Sequence, residues 1–211
     1  MNLNIVRQER YARSELLLRT FFGVFYIVIP HAFLLLFLSL WSNILSFIAF
    51  WVILFTGKYP LKMFDYQAQL MRWQLRLYAR LLNLSDGYPT FGLRAQDNYT
   101  TLVIDYPERI SRKLTIVRLL FGTIYVVLPH FFILFFRTLW GAILSFLAFW
   151  VVLFTAEYPA HWHAFLVENI RWEYRVKFYL TNMTDEYPPF SGKARGDDVN
   201  ERIDFKTMHM K

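Results

Sequence analysis

Hydrophobic and polar positions alternate between two regimes along the chain. From Thr20 to Leu40 nearly every residue is apolar, and after Trp41, Ser42 and Asn43 a second, shorter apolar run extends from Ile44 to Thr56. At a rise of about 1.5 Å per residue the first run is long enough to cross about 30 Å of hydrocarbon. The second reaches that length only if Trp41 to Asn43 form its opening turn. The two runs predict a transmembrane hairpin, because a backbone that turned back inside lipid would need other protein to shelter its polar groups. Beyond Pro60 the pattern changes. Leu61, Phe64, Ala68, Met71, Leu75, Tyr78 and Leu82 recur at steps of three and four, with Arg72, Arg76 and Arg80 in a row beside them. That spacing predicts an amphipathic helix opened by Pro60 at its first turn. With Trp73 at the boundary and arginines able to reach phosphates, it would lie in the inner headgroup layer.

The same order then repeats. Residues 19–91 align without a gap on residues 118–190, and 34 of the 73 positions are identical. Arg19, Gly23, Tyr26, Pro30, His31 and Trp41 match Arg118, Gly122, Tyr125, Pro129, His130 and Trp140. Further on, Arg72-Trp73, Arg76, Asp86, Tyr88-Pro89 and Phe91 match Arg171-Trp172, Arg175, Asp185, Tyr187-Pro188 and Phe190. The reading is therefore an all-α integral membrane protein of two tandem duplicated helical hairpins, four spans in all, each followed by a cytoplasmic interfacial helix. Residues 1–18 form an N-terminal segment, 19–91 the first repeat, 92–117 a linker, 118–190 the second repeat and 191–211 a polar tail that is mobile without a partner. Within the linker, β-branched residues at 99–105 predict a short strand.

Composition narrows the classes. Of 211 residues 56% are hydrophobic, 20% aromatic and only 18% charged, which is too apolar for one water-soluble core. The chain has no cysteine, so thiolate metal sites and thiol nucleophiles are excluded. Its formal charge of +7 comes partly from basic residues flanking the apolar runs, which read as topology signals and anionic-lipid contacts and not as a nucleic-acid surface. Arg7, Arg10, Arg13 and Arg19 precede the first run and Lys58 and Lys62 follow the second, whereas residues 39–43 carry no basic residue. Both termini and the linker are accordingly expected in the cytoplasm, and the repeats related by an axis along the membrane normal. Arg137 is the exception, expected to snorkel to outer headgroups.

Candidate chemistry centres on Pro30-His31 and Pro129-His130, ionisable rings deep within apolar helices. Three readings are open. Each proline kinks its helix and the neutral histidine donates to a neighbouring helix or to a freed carbonyl; or the two histidines meet and hold a metal or haem, or relay protons; or the kinks line a path for lipid or a small solute. Enzyme chemistry has little to build on. His161 and His163 fall on different helix faces, and no nucleophile arrangement, phosphate loop or intramembrane carboxylate pair is visible.

The order "IPH", "FTGKYP", "RW", "YPTF" and "VIDYPERISRK", leading into "LPH", resembles an uncharacterised bacterial family of small membrane proteins known only as a domain of unknown function. The resemblance covers residues 18–190 and implies helical hairpins followed by amphipathic helices, with no activity attached. In the second copy "FTAEYP" departs from "FTGKYP", which removes any shared role of Gly57 or Lys58. The expectation is a non-catalytic accessory or scaffold subunit in the inner membrane. Arg72, Arg76, Arg80, Arg171, Arg175, Trp73 and Trp172 would face anionic headgroups or partner subunits, or a second copy of the chain. A small lipid or solute transport component is the alternative, and a haem or metal-binding redox subunit through His31 and His130 the third.

Overall fold

In the computed structural model, which describes residues 1–194, the chain is helical apart from one two-stranded sheet. Strand β1 (Asn2–Ile5) leads into α1 (Arg13–Gly23), a π-helical turn (Val24–Val28) and α2 (Ile29–Thr56). Helix α3 (Leu61–Leu81) and strand β2 (Thr100–Val103) follow. The second repeat supplies α4 (Arg112–Gly122), a π-helical turn (Thr123–Val127), α5 (Leu128–Thr155) and α6 (Ala160–Leu180). The part of the tail beyond residue 194 lies outside the described residues.

The predicted hairpins are not formed. Residues 13–56 and 112–155 each make one continuous helix of 44 residues, about 66 Å long, apolar and long enough to cross a membrane. The helix runs on through the expected turn at 39–43, where Ser42 is bonded sideways. Ser42 Oγ donates to Gln67 Oε1, and Gln67 Nε2 donates to the Ser42 carbonyl and to Ser46 Oγ. In the second repeat Gly141 replaces Ser42, and a side chain there would come within 3.0 Å of Leu166. Neither version contains a residue that obliges a helix to stop.

Each long helix buries only a narrow stripe. Leu16, Arg19, Ile27, His31, Leu45, Ala49 and Ile53 face inward, and the equivalent positions of the second repeat do the same. Helix α3 is more central than its pattern predicts. Phe64, Ala68, Met71 and Leu75, the apolar stripe expected against the headgroup layer, are buried in protein, and so are Gln67, Leu70, Trp73, Arg76 and Arg80 on its other faces. It packs between α2, the sheet and the second repeat, with its start exposed, and its basic row bonds within the chain.

The halves interlock end to end. Tyr11 N–H donates to the Ala156 carbonyl at the end of α5, and Ile110 N–H to the Gly57 carbonyl at the end of α2. The start of each long helix thus meets the finish of the other, which makes the pair antiparallel about a pseudo-twofold axis perpendicular to both. Strands β1 and β2 obey the same axis, being antiparallel with Leu3 opposite Leu102, a separation equal to the repeat. The strand expected at 99–105 is therefore present, and its partner is the N-terminal segment.

Gly57 and Ala156 occupy the same helix-ending position, both left-handed, with φ of 71° and 61°. An L side chain is strained there, by about 1–2 kcal/mol, partly offset by the greater freedom glycine has when unfolded. Ala156→Gly should raise stability by about 0.5–1 kcal/mol, seen as a higher thermal midpoint in detergent. His163 lies in the core, edge-on to Tyr158, with Nε2 3.3 Å from the Leu84 carbonyl. Burial lowers its pKa from 6.5 to about 4, the Leu84 carbonyl opposing this and Arg7 adding to it. The unfolded ring gains a proton below pH 6.5 that the folded ring refuses, so this contribution is complete above pH 6.5 and is lost as pH falls toward 4. Acid titration of His163→Gln should show a shallower loss of stability across that window than the natural chain.

Candidate functional site: the paired proline-histidine knots

A proline inside a helix removes one N–H and leaves the carbonyl four residues earlier without its partner. Here those carbonyls belong to Tyr26 and Tyr125. The π-helical turns ending at Val28 and Val127 widen the helix where each proline ring must fit. Both orphaned carbonyls are then satisfied from outside the helix. Tyr88 Oη donates to Tyr26 O at 3.0 Å, and Tyr187 Oη to Tyr125 O at 2.9 Å. The closing "YP" motif of each repeat is thus the cap for its "PH" motif.

The histidine next to each proline completes the knot. Trp73 Nε1 donates to His31 Nδ1 at 2.9 Å, and Trp172 Nε1 to His130 Nδ1 at 2.8 Å. An indole N–H can only donate, so Nδ1 is the acceptor and the neutral ring carries its proton on Nε2. Phe91 stacks on His31 at 3.9 Å between ring centres, and Phe190 on His130 at 4.2 Å. Tyr88 and Tyr187 lie against the same rings. The histidines are 0% and 1% exposed, and Nε2 has no partner in hydrogen-bond geometry in either, although the Pro89 backbone interacts electrostatically with His31. Within each repeat, "PH", "RW" and "YPxF", far apart in sequence, converge on one buried ring.

The two knots are separate, each built within its own repeat. For a metal, Nδ1 is engaged and only Nε2 is left, with one ring face covered by phenylalanine. Among the described residues no group of three or more histidine, cysteine, aspartate or glutamate side chains is placed to hold a metal ion.

The remaining predicted site residues are turned inward. Arg72 Nε donates to Leu102 O in β2 and Arg171 Nε to Leu3 O in β1, so equivalent arginines grip opposite strands of the sheet. Arg76 donates to the carbonyls of Gly92 and Ala95, and Arg175 to those of Ser191 and Lys193. Arg80 is paired with Asp97, held below the usual carboxylate range by Arg80 and Thr100 against the opposing effect of burial. These groups bind the chain to itself and not to headgroups. A backbone carbonyl inside an apolar fold needs a donor, and a guanidinium fork offers several. Arg137 is likewise engaged within the chain. It bonds Asn169 Oδ1 at 2.7 Å, pairs with Glu168 at 3.6 Å and lies over the Phe165 ring.

A further pair of sites, whose partners lie far apart in sequence, is found at the helix starts. Asp86 accepts from Ala12 N–H and Arg19, and Asp185 from Ser111 N–H and Arg118, so each carboxylate caps a long helix from a distant loop. The signal was present in the repeated Arg19/Arg118 and Asp86/Asp185, but their separation in sequence hid the pairing.

The profile of a family described as Domain of unknown function (DUF4389) matches residues 13–92 and 115–192, one match for each repeat. No curated protein and no solved structure matches the chain.

Replacing Trp73 by Phe leaves His31 Nδ1 a buried acceptor without a donor and should cost about 1–3 kcal/mol. Trp172→Phe should cost a similar amount, and the double variant about the sum, because the knots share no partner. Thermal unfolding in one detergent measures all three.

Proposed function

Since the chain belongs to the DUF4389 family, whose description assigns no activity, we propose from its surface that it is a non-catalytic, membrane-embedded accessory or scaffold component of a larger assembly in a bacterial inner membrane. One observation carries the reading. Large apolar side chains stand exposed along almost the whole of both long helices, among them Phe21, Phe33, Phe47, Phe55 and their counterparts in the second repeat. A surface of this extent needs a nonaqueous neighbour. The buried polar groups, by contrast, are largely spent on internal bonds, as the arginines of α3 and α6 show.

Anionic headgroups remain partners in this reading, but through other residues. Arg10, Lys58, Lys62, Arg109, Arg112 and Lys113 are exposed at the ends of the long helices and the start of α3, where basic groups favour an anionic leaflet. The knots act as fasteners.

After an alkaline carbonate wash the protein should stay with the membrane fraction, and mild detergent should release it with a stoichiometric protein partner and no visible chromophore. Recovery as a lone protein with a Soret band would instead favour haem on His31 and His130.

A further inference from the structure

Resting on the membrane-embedded reading, we propose that the two long helices lie in the plane of the membrane within a single leaflet, and that the chain does not cross the bilayer. The contact surface is the outer face of α1–α2 and α4–α5, and its partner is the acyl region of one phospholipid monolayer.

Three observations point this way. The first is what accompanies the helix at its midpoint. Leu34, Phe37 and Leu38 sit halfway along residues 13–56, and they share an open groove with Lys62, Asp65 and Arg94, all three exposed. Were the helix a transverse span centred in the bilayer, those charges would stand near the hydrocarbon midplane, where ionised groups are strongly disfavoured. The same is true of the second repeat, where the Arg137–Glu168 pair lies at the corresponding level.

A layer of polar contacts also flanks the first long helix from Arg19 to Ser46. Arg19 meets Asn83 and Asp86 near one end, Trp73 meets His31, the Tyr66 hydroxyl donates to Leu38 O, and Gln67 meets Ser42 and Ser46 farther on. These contacts are buried or partly buried, so one side of the helix is covered by protein, and that protein carries the exposed charges Lys62, Asp65 and Arg94 on its outer surface. The opposite side of the helix is apolar from Phe21 to Phe55.

Dimensions and symmetry agree. A 44-residue helix is about 66 Å long, twice the hydrocarbon thickness of about 30 Å, whereas its diameter of about 10–12 Å fits one leaflet of about 15 Å. With the helices in the plane, the pseudo-twofold axis perpendicular to both lies along the membrane normal. Both repeats then face the same side, as the basic residues at 7–13, 58–62 and 109–113 require. Transverse antiparallel helices would place the axis in the plane and divide those charges between two faces.

The chain has no cysteine, so single cysteines report position cleanly. Arg10→Cys, Lys58→Cys, Arg94→Cys and Asn43→Cys, each in the full chain in sealed membrane vesicles of known orientation, are treated with a membrane-impermeant maleimide from either face. The first three should be labelled from one common face, and Asn43→Cys should be protected from the other. Labelling of Arg10→Cys and Lys58→Cys from opposite faces would overturn the proposal in favour of a transverse span. Labelling of Asn43→Cys from the face opposite Arg10→Cys would overturn it in favour of a hairpin. Release of the unmodified chain by alkaline carbonate would instead defeat the membrane-embedded reading, and with it this orientation, so the two failures are distinguishable.

Discussion

A proline within an apolar helix creates a carbonyl that neither its own helix nor a lipid tail can satisfy. Much of this fold is arranged around that fact, twice. The tyrosine that supplies the missing donor must arrive from outside the long helix, so the chain after α3 must turn back to Tyr26. That return brings Phe91 onto the His31 ring and holds the 82–92 segment against α2. Trp73 completes the arrangement by fixing α3 in register with the histidine, since an indole N–H has no acceptor in an apolar core except one placed for it. The neutral histidine is thus a built-in acceptor, and the ionisable character that first drew notice is the lesser part of its chemistry.

The arginines follow a related logic. The segments that follow the closing motifs carry carbonyls that no ladder satisfies, and Arg76 and Arg175 bond them from α3 and α6, one in the linker and one at 191–193. Arg72 and Arg171 do the same for the sheet at the centre of the duplication. This explains why the helix that looked interfacial is interior. An apolar stripe with a basic row beside it has the same spacing whether the cations reach for phosphate or for the chain's own backbone. Only the location of the carbonyls distinguishes the two cases, and they come from segments 16 to 168 residues away.

How far the sequence disclosed the structure follows the same division between local and distant interactions. The duplication, the short strand at 100–103, the helix opened by Pro60 and the apolar spacing of its stripe from Phe64 to Leu75 are set by local spacing and were legible. The proline-histidine pairs were legible as special positions, but the ring meets the neighbouring helix as an acceptor from Trp73 and not as the donor the sequence suggests. The turn at 39–43 is not formed, and a serine between apolar runs looks the same when it ends a helix as when it bonds sideways to Gln67. The strand β1, the Asp86 and Asp185 caps and the end-to-end exchange of the repeats depend on tertiary partners, and no local pattern encodes those.

Duplication itself sets a condition on the surface. Two copies related by a twofold axis perpendicular to their long helices must present the same face on the same side of any plane normal to that axis. An apolar flank on one copy is therefore continued by the flank of the other, and the polar layers of both stand together on the opposite side. One repeat alone would leave the inner side of α3, the single strand and the Gly57 carbonyl uncovered. Pairing supplies Ile110 N–H to that carbonyl, a second strand to the first and Tyr174 to the carbonyl of Met71. The second copy thus completes the water-facing layer of the first while doubling the apolar surface beneath it, which connects the internal repeat directly to a broad attachment to one leaflet.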